Sequence, residues 1–206
     1  INSWNTSNGK NMAEMFHSAS SFNQPLYNWN TTSVTNMNGM FKSNGVFNQP
    51  INTLSVTSNG STYDAWDLSN CKTCDEMFYQ AYAFNQPLHN WNVGNVTSMQ
   101  SMFRFITTFN QPLNNWNVEN VTNMNSMLEE SGFNQPLHSW NVSNLTTLSG
   151  LFRNTPFNQP LSNWDTSNFV NPIYMFADVP FNQDISGWNV SNVTDMLAMF
   201  SNNTSF

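Results

Sequence analysis

The sequence predicts an α/β solenoid, a stack of eight units of 24–25 residues in which each unit contributes a short strand and a short helix. Two residue columns and one consensus carry this expectation. Phe-Asn-Gln begins at Phe22, Phe47, Phe84, Phe109, Phe133, Phe157 and Phe181, and Phe206 stands where the next would begin, at spacings of 25, 37, 25, 24, 24, 24 and 25. Tryptophan keeps the same beat at Trp4, Trp29, Trp66, Trp91, Trp116, Trp140, Trp164 and Trp188, with the same single exception. Two independent columns agreeing on one period are the signature of stacked repeats.

The fourth unit shows how each part reads. Leu88, Trp91 and Val93 set apolar residues before and across a β-favouring stretch, with Trp91 and Val93 alternating as a half-buried strand requires. Met99, Met102 and Phe103 follow at i, i+3 and i+4, one face of a helix, and Thr97 sits where an N-cap belongs. Thr recurs in that column at Thr35, Thr122, Thr146 and Thr194. Phe109-Asn110-Gln111-Pro112 then returns the chain, through a link whose variable length marks a loop.

A unit this small cannot bury its apolar face alone, so stacking is what makes it fold. Rungs about 4.8 Å apart would align the Trp residues, the Met-Phe pairs and the Phe of Phe-Asn-Gln into ladders. The Asn of that tripeptide has two readings: a buried row bonding the backbone of neighbouring turns, or an exposed row of amides for sugar. The third unit carries about 12 extra residues, roughly 55–65, rich in Ser, Thr, Asn and Gly. These bulge from one face, either as a displayed functional loop or as a tolerated insertion.

Composition narrows the function classes. Charged residues make up 8% and aromatics 15%, a balance that favours folding over disorder. Five Lys and Arg against a net charge of −7 leave no basic stripe for nucleic acid or anionic membrane. No apolar run reaches a membrane span and no signal peptide is present, so direct membrane insertion is not expected and any signal or anchor lies outside this chain.

The run Phe109-Asn110-Gln111-Pro112-Leu113-x-x-Trp116-Asn117-Val118-x-Asn120-Val121-Thr122-x-Met124-x-x-Met127 resembles the repeat of BspA-like leucine-rich-repeat surface proteins, and Asp165 and Asp184 keep that family's Asp variants. The resemblance covers essentially the whole chain. It implies a leucine-rich-repeat-like fold, an extracellular or cell-surface setting, and adhesion or matrix contact rather than catalysis, and it carries no catalytic residues to transfer.

Candidate sites are few. Cys71 and Cys74 form Cys-x-x-Cys but fall in the core columns of Val96 and Met99, so they read as buried thiols or a local disulfide. His17, His89 and His138 lack finger-like spacing, and the last two, though in one column, lie two units apart. That is about 10 Å, too far for one metal, so no metal and no cofactor are expected. Asp75-Glu76 and Glu129-Glu130 are adjacent pairs whose side chains diverge, so no acid/base dyad is expected. Asn-x-Ser/Thr sequons that make glycosylation candidates include Asn95, Asn120, Asn144 and Asn192, which the repeat itself supplies, and Asn59, which it does not.

The expected function is a non-enzymatic extracellular or cell-surface adhesion module binding through an extended repetitive face. Its partners would be a surface or matrix protein, a glycan, or neighbouring copies of itself, with affinity gathered from many weak contacts. The alternative is a self-assembling structural protein of a coat, filament or sheath. Atypical capping units are missing from residues 1–206, which reads as one uncapped array excerpted from a longer one or covered by neighbouring molecules.

Overall fold

A computed structural model describes residues 1–58 and 60–206. Among these residues there is no helix, and the two strands, β1 (Leu54–Ser58) and β2 (Ser61–Ala65), both belong to the insertion of the third unit. The expected α/β solenoid of strand-plus-helix, leucine-rich-repeat-like units is therefore corrected: the units are built from consecutive tight turns. They do stack, through a line of single parallel bridges joining Asn11, Asn36, Thr73, Ser98, Asn123, Thr147 and Asn171 in order.

The predicted helix fails because its backbone bonds leave the unit. Met99, Ser101, Phe103 and Phe105 donate their N–H groups to the carbonyls of Asn123, Asn125, Met127 and Glu129 in the next unit. The intervening carbonyls of Ser98, Gln100, Met102 and Arg104 accept from Cys74, Glu76, Phe78 and Gln80 in the preceding one. Within the unit only i to i−3 bonds remain, Met102 N–H to Met99 and Arg104 N–H to Ser101. Ser101 takes a left-handed φ of 54°, as the third residue of the type II turn closed by Met102 on Met99 must, and Phe105 takes one of 68°.

An isolated helix of one or two turns is unstable in water, so bonds between units win. Thr97 shows the same displacement. It caps nothing, and both its N–H and its hydroxyl donate to the Lys72 carbonyl one unit back. Met99, Met102 and Phe103 are all fully buried, so the apolar spacing had encoded which residues face inward and not the backbone that turns them.

The predicted strand half is also a pair of turns, closed by Trp91 N–H on Leu88 and Val96 N–H on Val93. Here side chains take over the stacking. The indole N–H of Trp91, Trp116, Trp140 and Trp164 donates to the carbonyl of Ile51, Leu88, Leu113 and Leu137, in each case one unit back. That bond fixes the ring orientation, and Trp29, Trp66, Trp91 and Trp116 stack with centroids 6.2–6.4 Å apart. Inside every unit but the fifth, where Leu128 takes its place, a Phe lies on the Phe of Phe-Asn-Gln or its equivalent, as Phe103 does on Phe109 at 4.1 Å.

The insertion is a hairpin rather than an open loop. Leu54 pairs with Ala65 and Ser58 with Ser61, Val56 and Tyr63 pack on the core, and the Tyr63 hydroxyl donates to the Asn28 carbonyl. Ala65 bridges Asn30 and Trp66 N–H donates to Trp29, so the hairpin is laid against the second unit.

Trp116→Ala empties a buried site in the ladder and is expected to cost about 3–5 kcal/mol in denaturant unfolding; a loss below about 1 kcal/mol would mean the ring is not a core group. Ser126 has a φ of 55°, and Gly39 and Gly150 occupy its column at 58° and 63°. Ser126→Gly is therefore expected to leave stability within about 0.5 kcal/mol of the parent or raise it, since relief of the left-handed strain offsets the entropy of glycine. A helix interior would instead lose up to about 1 kcal/mol, and chemical denaturation separates the two.

Candidate functional site

The surface carries three amide columns, each defined by which half of the side chain the fold uses. The first is the Asn of Phe-Asn-Gln. The Oδ1 of Asn23 accepts from Asn48 N–H at 3.0 Å and Gln49 Nε2 at 3.1 Å, and Asn48 receives Asn85 N–H and Gln86 Nε2 in the same way. Asn85, Asn134 and Asn158 continue the pattern toward Gln111, Gln159 and Gln183. The expected bonding to neighbouring backbone is what the structure shows, but at a half-exposed rim and not in a buried row.

The second column follows each Trp. Asn92, Asn117, Asn141 and Asn189 accept the N–H of the residue two places on, at 3.0–3.2 Å, closing an Asx turn. Asp67 and Asp165 close the same turn with a carboxylate oxygen. Hydrogen bonds from Ser167, its hydroxyl first and then its N–H, hold the Asp165 carboxyl below the usual carboxylate range. A shallow open groove of about 460 Å³ joins the fifth and sixth units on this side, lined by Asn114, Asn115, Trp116, Asn117, Ser139 and Asn141.

The third column is the Asn four places after Trp, and it contains the candidate sequons. Asn95, Asn120, Asn144 and Asn192 are exposed, and each donates its Nδ2 to a carbonyl one unit back, Ser69, Gly94, Glu119 and Ser167, at 2.6–2.9 Å. The nitrogen a glycan would join is thus already a donor in the stack. Asn59 lies outside the described residues.

The thiols of Cys71 and Cys74 are free and fully buried, with Sγ atoms 3.5 Å apart. The hydrogen bond between them lowers the proton affinity of Cys71 and, together with burial, raises that of Cys74. His89 and His138 are not brought together; His89 meets Asn52, and His17 meets Glu14 at 3.9 Å. No group of three or more His, Cys, Asp or Glu able to hold a metal occurs among the described residues.

Asp75 and Glu76 diverge: Asp75 accepts from Ser98 and Gln100, whereas Glu76 pairs with Lys42. Sequence reading takes Glu129 only as half of the divergent pair Glu129-Glu130 and misses its partners: its buried carboxylate is clamped by Arg104 at 3.0 Å and Arg153 at 3.3 Å, one unit away on either side. The signal was available: Lys42, Arg104, Glu129 and Arg153 all follow the Met-Phe position of their units.

A family model described as "Mycoplasma protein of unknown function, DUF285" matches residues 1–65, 56–156 and 129–206. No curated protein and no solved structure matches the chain.

Removing an acceptor from the rim column has a calculable cost. Asn85→Ala removes the acceptor of the Asn110 N–H and one of the two acceptors of Gln111 Nε2, which keeps the Asn85 main-chain carbonyl, and is expected to lower stability by about 0.5–1.5 kcal/mol in thermal or urea unfolding. Asn85→Asp keeps the acceptor and is expected to lose clearly less; equal losses would show that the acceptor is not what matters.

Proposed function

The chain belongs to the DUF285 family of Mycoplasma proteins, and from that premise we propose that it is a non-enzymatic extracellular or cell-surface adhesion module that binds through its extended repetitive face. The observation that carries this reading is the repetition of one exposed, uncharged amide pattern from unit to unit. A surface of that kind offers many equivalent weak contacts, and avidity then replaces a single deep pocket. The resemblance to BspA-like surface proteins supports the surface setting and the adhesive role, although their strand-plus-helix repeat is not the one used here. Partners of the proposed module are matrix or surface proteins and glycans, with nucleic acid disfavoured by five Lys and Arg against a net charge of −7.

The test uses the intact chain on arrays of matrix proteins and glycans, with sedimentation of the same sample. Saturable binding to at least one class, weakening steeply when the chain is presented at low density, is the expected result. Association with nothing except further copies of itself would replace this reading with that of a self-assembling coat or filament protein.

A further inference from the structure

We propose that the Trp side of the stack takes a neutral, hydroxyl-rich glycan chain, held by parallel rows of amide donors and amide acceptors. This rests on the reading of the chain as an adhesion module and names its ligand class.

In the row just after Trp, the oxygens of Asn92, Asn117, Asn141 and Asn189 are consumed by Asx turns, while their exposed Nδ2 groups have no protein partner among the described residues. Three residues further on the allocation reverses. The Nδ2 groups of Asn95, Asn120, Asn144, Asn168 and Asn192 are consumed by carbonyls of the preceding unit at 2.6–2.9 Å, and their oxygens have no protein partner among the described residues. Each side chain is therefore pinned by one end and presents the other in a fixed direction. Ligand binding then costs little further side-chain entropy.

The chemistry of the two rows selects the ligand. A row of donors alone would suit an anion and a row of acceptors alone a cation, but a hydroxyl both donates and accepts and satisfies the pair. A peptide finds less here. The Trp rings lining this side are at most 4% exposed, from Trp91 through Trp164, so they offer no open apolar pockets, and these units carry no strand edge to extend. The shallow open groove between the fifth and sixth units lies beside Asn117 and Asn141.

The fold alone does not require the amide nitrogen. Asp67 and Asp165 close the same turn at 2.8 and 3.0 Å, so an acceptor is all that the turn needs. Repulsion between carboxylates stacked one rung apart argues for a neutral residue in neighbouring units. Serine or threonine would meet that need and still close a turn. Asn differs in carrying its N–H donors further from the backbone than a hydroxyl can.

The experiment compares the intact chain with Asn117→Asp/Asn141→Asp, which keeps both turns and removes two donors. The probes are neutral glucose, galactose, mannose and N-acetylhexosamine oligomers, sialylated and sulfated oligosaccharides, and matrix proteins. Asn117→Ser/Asn141→Ser repeats the test without adding charge, withdrawing the donor from the amide position to the shorter hydroxyl, and thermal melting confirms the fold of each variant. At least one neutral oligomer is expected to bind the parent, with affinity falling about tenfold in both variants at unchanged melting temperature, as two lost hydrogen bonds imply. Undiminished glycan binding by both variants overturns the site. Binding to matrix proteins or charged glycans alone overturns the ligand class and leaves the adhesion reading standing. Binding to nothing overturns both.

Discussion

Everything in this fold depends on where the backbone N–H groups go. In the inner units alternate residues of the Met-Phe segment give their N–H to the next unit, as Ser101 and Phe103 do toward Asn125 and Met127, while the carbonyls between them accept from the preceding one. Buried backbone donors must be satisfied, and a segment this short cannot satisfy them within itself. The exchange between units sets the rung spacing, forces a left-handed residue into each type II turn, and brings equivalent side chains into register.

Register is what converts a repeated sequence into continuous ladders. Once the rungs are fixed, Phe78 stacks on Phe103 at 5.6 Å and Trp91 on Trp116 at 6.2 Å, in offset arrangements that aromatic quadrupoles favour. Where the chain turns away from the backbone ladder, polar side chains carry the same exchange: indole N–H groups, Asn oxygens of Phe-Asn-Gln and Asn nitrogens four places after Trp. These groups are polar without net charge, so identical residues can be stacked with none of the repulsion that a column of carboxylates would bring. The scarcity of charge in the composition follows from the architecture.

The exceptions are placed where charges alternate in sign. Glu129 is buried between Arg104 and Arg153, so the stack runs plus, minus, plus across three units. A lone buried carboxylate would be strongly destabilising, whereas one flanked by two guanidinium groups is compensated and ties three rungs together. The hairpin of the third unit instead joins the stack through apolar packing, adding Val56 and Tyr63 to the core.

The sequence by itself determined the repeat, its period and the inward-facing columns. Periodicity reports which side chains are buried, and Trp116, Met124 and Phe133 are buried as their columns require. It does not report backbone conformation, because Met99, Met102 and Phe103 reach the core equally well from a helix or from turns. Only the tertiary structure decided between those, since the deciding bonds join residues 23 to 26 positions apart, or 36 to 38 across the hairpin, and exist only when a neighbouring unit is present to receive them. The amide rows were legible as recurring Asn, but the free end of each amide was not. That assignment depends on the partner each Asn finds, a carbonyl one unit back for Asn120 and its own turn for Asn117.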